Sequence, residues 1–112
     1  MKRLHPLAPF VLFAACALSQ AGCVRTPQSI CQEYVDAINA MFERCDIRFE
    51  FDVVRPDGRR GCGGVQRVTD AHPILDECIP WAESVECTAV NPADPSSSFP
   101  SSCSSRVFQY VE

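Results

Sequence analysis

The chain of 112 residues lacks the short motifs that mark common catalytic and cofactor sites. It contains no G-K-[ST] phosphate loop, no G-x-G-x-x-G, no G-x-S-x-G and no D-x-D-x-D-G calcium loop. No two cysteines are spaced as C-x-x-C, and His5 and His72 are the only histidines, so the usual zinc ligands are missing. Asp70, His72 and a serine do not form a recognisable nucleophile motif, and a helix start explains the His-Pro pair better. The sequence predicts no catalytic residue, no metal and no cofactor, and we expect a protein that is not an enzyme.

Positive charge is scarce. Lys2 is the only lysine, and residues 23–112 hold eight arginines against all 14 acidic residues. Nucleic-acid-binding domains carry a basic face, so this acidic balance argues against a nucleic-acid partner. Four of the arginines nevertheless gather around one predicted turn and form a candidate contact surface for anionic head groups, the alternative being a solvated charge cluster. They are Arg55, Arg59, Arg60 and Arg67.

No apolar run reaches the roughly 20 residues that a membrane-spanning helix needs. The longest, from Leu7 to Leu18, follows Lys2 and Arg3 and precedes small residues. This order is that of the charged and apolar regions of a bacterial export signal. We therefore expect residues 1–22 to be a signal peptide and the mature protein to be exported.

Two processing sites overlap in residues 19–23, whose sequence is SQAGC. The stretch from Gln20 to Cys23 resembles the lipobox of bacterial lipoproteins, in which small residues precede a cysteine that is acylated and becomes the first residue. Gln20 stands where those proteins usually have an aliphatic residue. Ordinary cleavage after Ala21 is the alternative, and Cys16, preceded by Phe-Ala-Ala, is a third candidate.

Cysteine parity favours acylation of Cys23, by palmitate or a similar chain. Of the eight cysteines, acylation there discards Cys16 and leaves six for disulfides. Both other routes leave seven, with one unpaired thiol in an oxidising compartment. The six expected disulfide cysteines are Cys31, Cys45, Cys62, Cys78, Cys87 and Cys103.

We expect a small disulfide-stabilised domain of α+β class, mainly helical, with two amphipathic helices and a β-hairpin. Thr26-Pro27 and a Ser29/Gln32 capping box predict the start of a first helix of about 16 residues. Apolar residues recur along it at spacings of three and four, which predicts a buried face. They are Ile30, Cys31, Tyr34, Val35, Ile38, Met41, Phe42 and Cys45.

The rest of the chain changes period. Apolar and charged residues alternate over 47–53, as in a half-buried strand. Residues 55–58 then form a predicted turn, and the glycine-flanked Cys62 leads into a second strand over 65–68. Together these segments predict the hairpin. A second helix is expected from near Asp70, with a kink at Pro80. Residues 90–102 form a Pro/Ser-rich loop, and 107–111 are too short to assign.

Helix geometry limits the disulfides. Cys31 and Cys45 would lie about 21 Å apart along an intact helix, so they cannot bond to each other. We expect Cys45 to pair with Cys62 or Cys78, and Cys103 to close the Pro/Ser-rich loop.

The run from Glu77 to Cys87, followed by a proline-containing loop and Pro100-Ser101-Ser102-Cys103, resembles the C-terminal part of small cysteine-rich lipoproteins of Gram-negative bacteria. Those families are uncharacterised, so the resemblance implies a location and no activity. The expected organisation is a signal peptide (1–22), a lipidated tether (23–28) and a disulfide-rich domain (29–112).

The expected function is that of a lipid-anchored binding or structural module of the cell envelope, held at the outer membrane or cell surface and contacting an envelope protein. The alternative is a soluble secreted effector or inhibitor that displays the Pro/Ser-rich loop or the arginine turn.

Overall fold

The longest element is helix α1 (Pro27–Arg44), in a computed structural model that describes residues 25–110. The predicted signal peptide and Cys23 lie outside the described residues. Thr26 caps the helix: its Oγ1 accepts a hydrogen bond from the Ser29 N–H, and the Ser29 hydroxyl accepts one from the Thr26 N–H. The helix therefore begins at Pro27 and not at Ser29, because Thr26 is the N-cap and Ser29 its reciprocal partner.

The C-terminal end of α1 is closed by a Schellman motif. Asp46 adopts a left-handed conformation with φ 57°, its N–H donates to the Glu43 carbonyl, and the Ile47 N–H donates to the Phe42 carbonyl at 2.8 Å. This reverses the chain, so that residues 47–64 run back along α1 toward its N-terminal end.

The predicted β-hairpin is wrong, because the extended segment of residues 47–53 belongs to no strand. Within this segment, the backbone of Phe51 forms hydrogen bonds with a side chain and not with a strand. Asn39 Nδ2 donates to the Phe51 carbonyl at 2.9 Å, and the Phe51 N–H donates to Asn39 Oδ1 at 2.8 Å. A single antiparallel bridge joins Val54 to Arg60 around the turn. The turn itself forms as predicted, with the Gly58 N–H donating to the Arg55 carbonyl.

The two-stranded antiparallel sheet joins segments far apart in sequence. Strand β1 (Val65–Val68) pairs with β2 (Phe108–Tyr110), and the register is irregular between Val65 and Arg67. The fold class is thus α+β and mainly helical, but the partner of β1 comes from the C-terminal segment.

The second helical region changes its backbone hydrogen-bond pattern along its length. Residues Pro73–Cys78 form a π-helical segment and Ile79–Ser84 form α2. Pro80 explains the boundary, because it has no N–H to donate and is accommodated in the first turn of α2. Arg44 links the ends of α1 and α2, donating to the Ala82 carbonyl at 3.1 Å and to the Val85 carbonyl at 2.6 Å.

Between α2 and β2 the chain makes three 3₁₀ turns, Cys87–Ala89, Pro95–Ser98 and Ser105–Val107. The Pro/Ser-rich loop folds onto the core through buried Val90 and Pro95 and through Phe99, whose ring packs edge-on against Trp81 and Phe51. Its serines are mostly exposed, so the loop is a cover for the core with a polar outer face.

Three disulfides join Cys31 to Cys62, Cys45 to Cys87, and Cys78 to Cys103. The exclusion of a Cys31–Cys45 bond is confirmed, and the Cys78–Cys103 bond encloses the Pro/Ser-rich loop as expected. The predicted pairing of Cys45 with Cys62 or Cys78 is wrong, because the return segment carries Cys62 on to the N-terminal half of α1. Every apolar residue predicted for α1 is buried except Cys45, which is partly buried.

Candidate functional site

The arginine groove lies between the turn at 55–60 and the end of β2. It is an open groove of about 1070 Å³. Its lining comprises the turn with Arg55, Arg59 and Arg60, the glycine segment with Gly61, Gly63 and Gly64, and Phe108–Tyr110 of β2. Three of the four arginines singled out in the sequence thus line one groove. Arg67 lies on β1, opposite Gln109, and is not one of the lining residues.

Arg55 is held in place by its neighbours, and its side chain is only 15% exposed. The guanidinium carbon stands 5.6 Å from the centre of the Tyr110 ring, in a cation–π arrangement. It also lies over the backbone of Gly64, where a Cβ atom would come within 2.7 Å of Nη1. A glycine at position 64 therefore makes room for this guanidinium.

Asp57 organises the turn. Its Oδ1 accepts a hydrogen bond from the Arg59 N–H at 3.0 Å, and its Oδ2 lies 3.7 Å from Arg55 Nη2 and 3.6 Å from Arg59 Nε. The Arg59 backbone N–H, helped by the charges of the two arginines, holds the pKa of the Asp57 carboxyl below its usual range. Asp57 is therefore ionised at neutral pH and offsets one of the three positive charges.

Arg59 and Arg60 point outward. The Arg59 side chain is 75% exposed and Arg60 is also exposed, whereas their backbones are fixed by the Arg55–Arg59 hydrogen bond and the bridge to Val54. Val54 beside them is 59% exposed. The groove thus has one largely buried guanidinium, that of Arg55, and two exposed arginine side chains at its rim.

The groove lies at the same end of the domain as the start of α1. Gln28, in the first turn of α1, donates from Nε2 to the Gly63 carbonyl at 2.8 Å. The Cys31–Cys62 disulfide makes a second link one turn further on, with its Cα atoms 5.7 Å apart. The glycine segment of the groove is therefore joined to the first turns of α1, where the preceding part of the chain enters the domain.

The other wall of the groove was missed by sequence reasoning. Residues 108–110 are too short to show a period, and they face the arginines only because β2 pairs with β1. Burial raises the pKa of Tyr110, against the opposing charge of Arg55. The local sequence held no signal for this contact.

His72 does not form a triad with Asp70. Its Nδ1 lies 2.8 Å from Asp76 and its Nε2 lies 3.3 Å from Glu77, while Asp70 accepts a hydrogen bond from the His72 backbone N–H. This cluster is exposed at the helix start. Within residues 25–110, no group of three or more His, Cys, Asp and Glu side chains is placed to hold a metal ion.

A second, smaller recess of about 490 Å³ lies between the extended segment and the Pro/Ser-rich loop, lined by Phe51, Phe99 and Arg106 among others. Its lining combines aromatic and aliphatic side chains with serines, and it holds one arginine, Arg106, and one carboxylate, Asp52. It therefore has less capacity to recognise an anion than the arginine groove.

No protein-family model matches the chain, and comparisons with curated proteins and with solved structures also give no match. In the part of the chain that the structure describes, no helix is long and apolar enough to cross a membrane.

Proposed function

We propose that this protein is a lipid-anchored module of the bacterial cell envelope, acylated at Cys23, which acts by binding or as a structural element and not by catalysis. The observation that carries the proposal is the pairing of cysteines. The six cysteines of the described domain bond to one another, so none of them is left to pair with Cys23. Acylation would modify Cys23, the one cysteine of the mature chain that cleavage after Ala21 would leave as an unpaired thiol.

The position of the domain start supports the same proposal. Only Val24, Arg25 and Thr26 lie between Cys23 and the first residue of α1. Four residue steps span about 14 Å at most, so an acyl chain on Cys23 would keep the domain against its membrane. Such a short tether suits a local partner or a scaffold at the outer membrane or cell surface.

The substitution Cys23→Ser tests the anchor. We expect the wild-type protein to fractionate with membranes and to need detergent for release, and the serine variant to be released as a soluble exported protein. Cys16→Ser is the matched control, since Cys16 lies in the predicted signal peptide, and it should stay with the membranes. A wild-type protein that is soluble without detergent would favour the alternative, a secreted effector or inhibitor cleaved after Ala21.

A further inference from the structure

We propose that the arginine groove binds phosphate head groups of anionic lipids in the same membrane that holds the acyl anchor. This inference rests on the proposed function, because it is the anchor that brings the groove to a membrane. It adds a second, electrostatic contact that would orient the domain on the lipid surface.

The chemistry of the groove suits a phosphate. Guanidinium groups present paired N–H donors that match phosphate oxygens, and they hold their charge at all physiological pH values. Arg55 is preset beside Tyr110, and Arg59 and Arg60 are exposed at the rim where a ligand arrives. Against these three charges the turn holds one carboxylate, that of Asp57, so it stays positive in a domain that is otherwise acidic.

The location of the groove selects a membrane phosphate over a free one. The contacts from Gln28 to Gly63 and from Cys31 to Cys62 place the glycine segment of the groove beside the first turns of α1, a few residues after Cys23. An anchor at Cys23 therefore brings this end of the domain, and not the end near Cys45, to the lipid surface.

Val54, which lines the second recess and not the arginine groove, adds an apolar element beside the turn. It is 59% exposed and forms the backbone bridge with Arg60. An exposed aliphatic side chain next to arginines is suited to the boundary between head groups and acyl chains, where both kinds of group are stabilised.

Vesicle binding of the exported Cys23→Ser protein, purified without its signal peptide and with its disulfides intact, tests the groove without the anchor. We expect it to sediment with vesicles of equal phosphatidylglycerol and phosphatidylcholine, and not with pure phosphatidylcholine. Reversing two charges in Arg59→Glu/Arg60→Glu should lower the partition coefficient about tenfold or more, and so should raising the salt to about 0.5 M. Arg59→Gln/Arg60→Gln should give a smaller loss in the same direction.

The matched control is Arg48→Glu/Arg106→Glu, which changes the net charge equally at exposed positions outside the groove. It should keep most of the binding. Equal loss in both charge-reversed proteins, or no preference of the parent for anionic vesicles, would overturn the proposal. Full displacement from vesicles by inorganic phosphate at low millimolar concentration would also overturn it, since the ligand would then be free phosphate. A protein that is not acylated in cells would refute the proposed anchor, whereas these vesicle results report on the groove alone.

Discussion

Asn39 is the side chain that fixes the extended segment 47–53 against α1. Its amide both donates to and accepts from the backbone of Phe51, at 2.9 and 2.8 Å, in the way that a neighbouring strand would. Removing the amide leaves a partly buried N–H and C=O without these partners. We expect Asn39→Ala to lower the free energy of unfolding by about 2 kcal/mol, measured by denaturant titration.

Gln32 provides the control for Asn39. It lies on the exposed face of the same helix and its amide reaches only Asp36, one turn away. Gln32→Ala should cost about 0.5 kcal/mol or less. Equal losses in the two variants would show that the Asn39 contact is not what holds the segment.

Ionisation of Tyr34 makes the stability of the protein depend on pH in the alkaline range. Its hydroxyl donates to the Cys103 carbonyl at 3.0 Å, and burial, with a smaller contribution from the charge of Tyr110, raises its pKa from 10.0 to about 12. Because the pKa is raised in the folded state, the contribution to stability is present below pH 10 and is lost as the pH rises toward 12. Absorbance titration should show Tyr34 ionising last, and Tyr34→Phe should remove that final step. A single step for both tyrosines near pH 10 would contradict this account.

At the scale of elements, the turn that carries the arginines depends on Gly61. Its φ of 102° lies in the region that side chains rarely adopt, although nothing stands within 4 Å of the position of a Cβ atom. Gly61→Ala should therefore destabilise the protein by about 1 to 2 kcal/mol through the backbone alone. In thermal unfolding, Gly63→Ala is the control, because Gly63 has equal space and its φ lies outside that region. Equal melting temperatures in the two variants would show that the turn does not need this conformation.

The elements differ in how far sequence predicts them. The apolar face of α1 could be predicted, because a helical period repeated over 18 residues leaves few alternatives. The alternating period of residues 47–53 correctly indicated that Ile47 and Val53 are buried, but the predicted strand does not form and Phe49 is 53% exposed. Alternation does not identify the hydrogen-bonding partner of the backbone, and at Phe51 that partner is the Asn39 side chain and not a strand.

At the scale of the whole molecule, the three disulfides differ in access. Cys31 and Cys78 are fully buried, whereas Cys87 is exposed and Cys45 partly so. Limited reduction should therefore open Cys45–Cys87 first and leave the other two bonds, because thiol exchange needs access to a sulfur. Alkylation followed by peptide mapping checks the order. Earlier opening of Cys31–Cys62 or Cys78–Cys103 would contradict the buried placement of those bonds.

The arginine groove could be predicted only in part, for reasons of topology. The arginines and the turn that presents them lie close together in sequence, so this side of the groove could be predicted. Their other wall comes from β2, more than 40 residues away, and its place depends on the pairing with β1 and on the Cys78–Cys103 bond that precedes it. Contacts of such sequence separation leave no local pattern.

The intact mass of the mature protein, extracted from cells in detergent and measured with and without thiol alkylation, tests the central claim most directly. The account predicts a chain that begins at Cys23, carries added acyl mass and takes up no alkylating reagent, with all six remaining cysteines bonded. A chain that begins at Gly22, without acyl mass and with one alkylated cysteine, would contradict it.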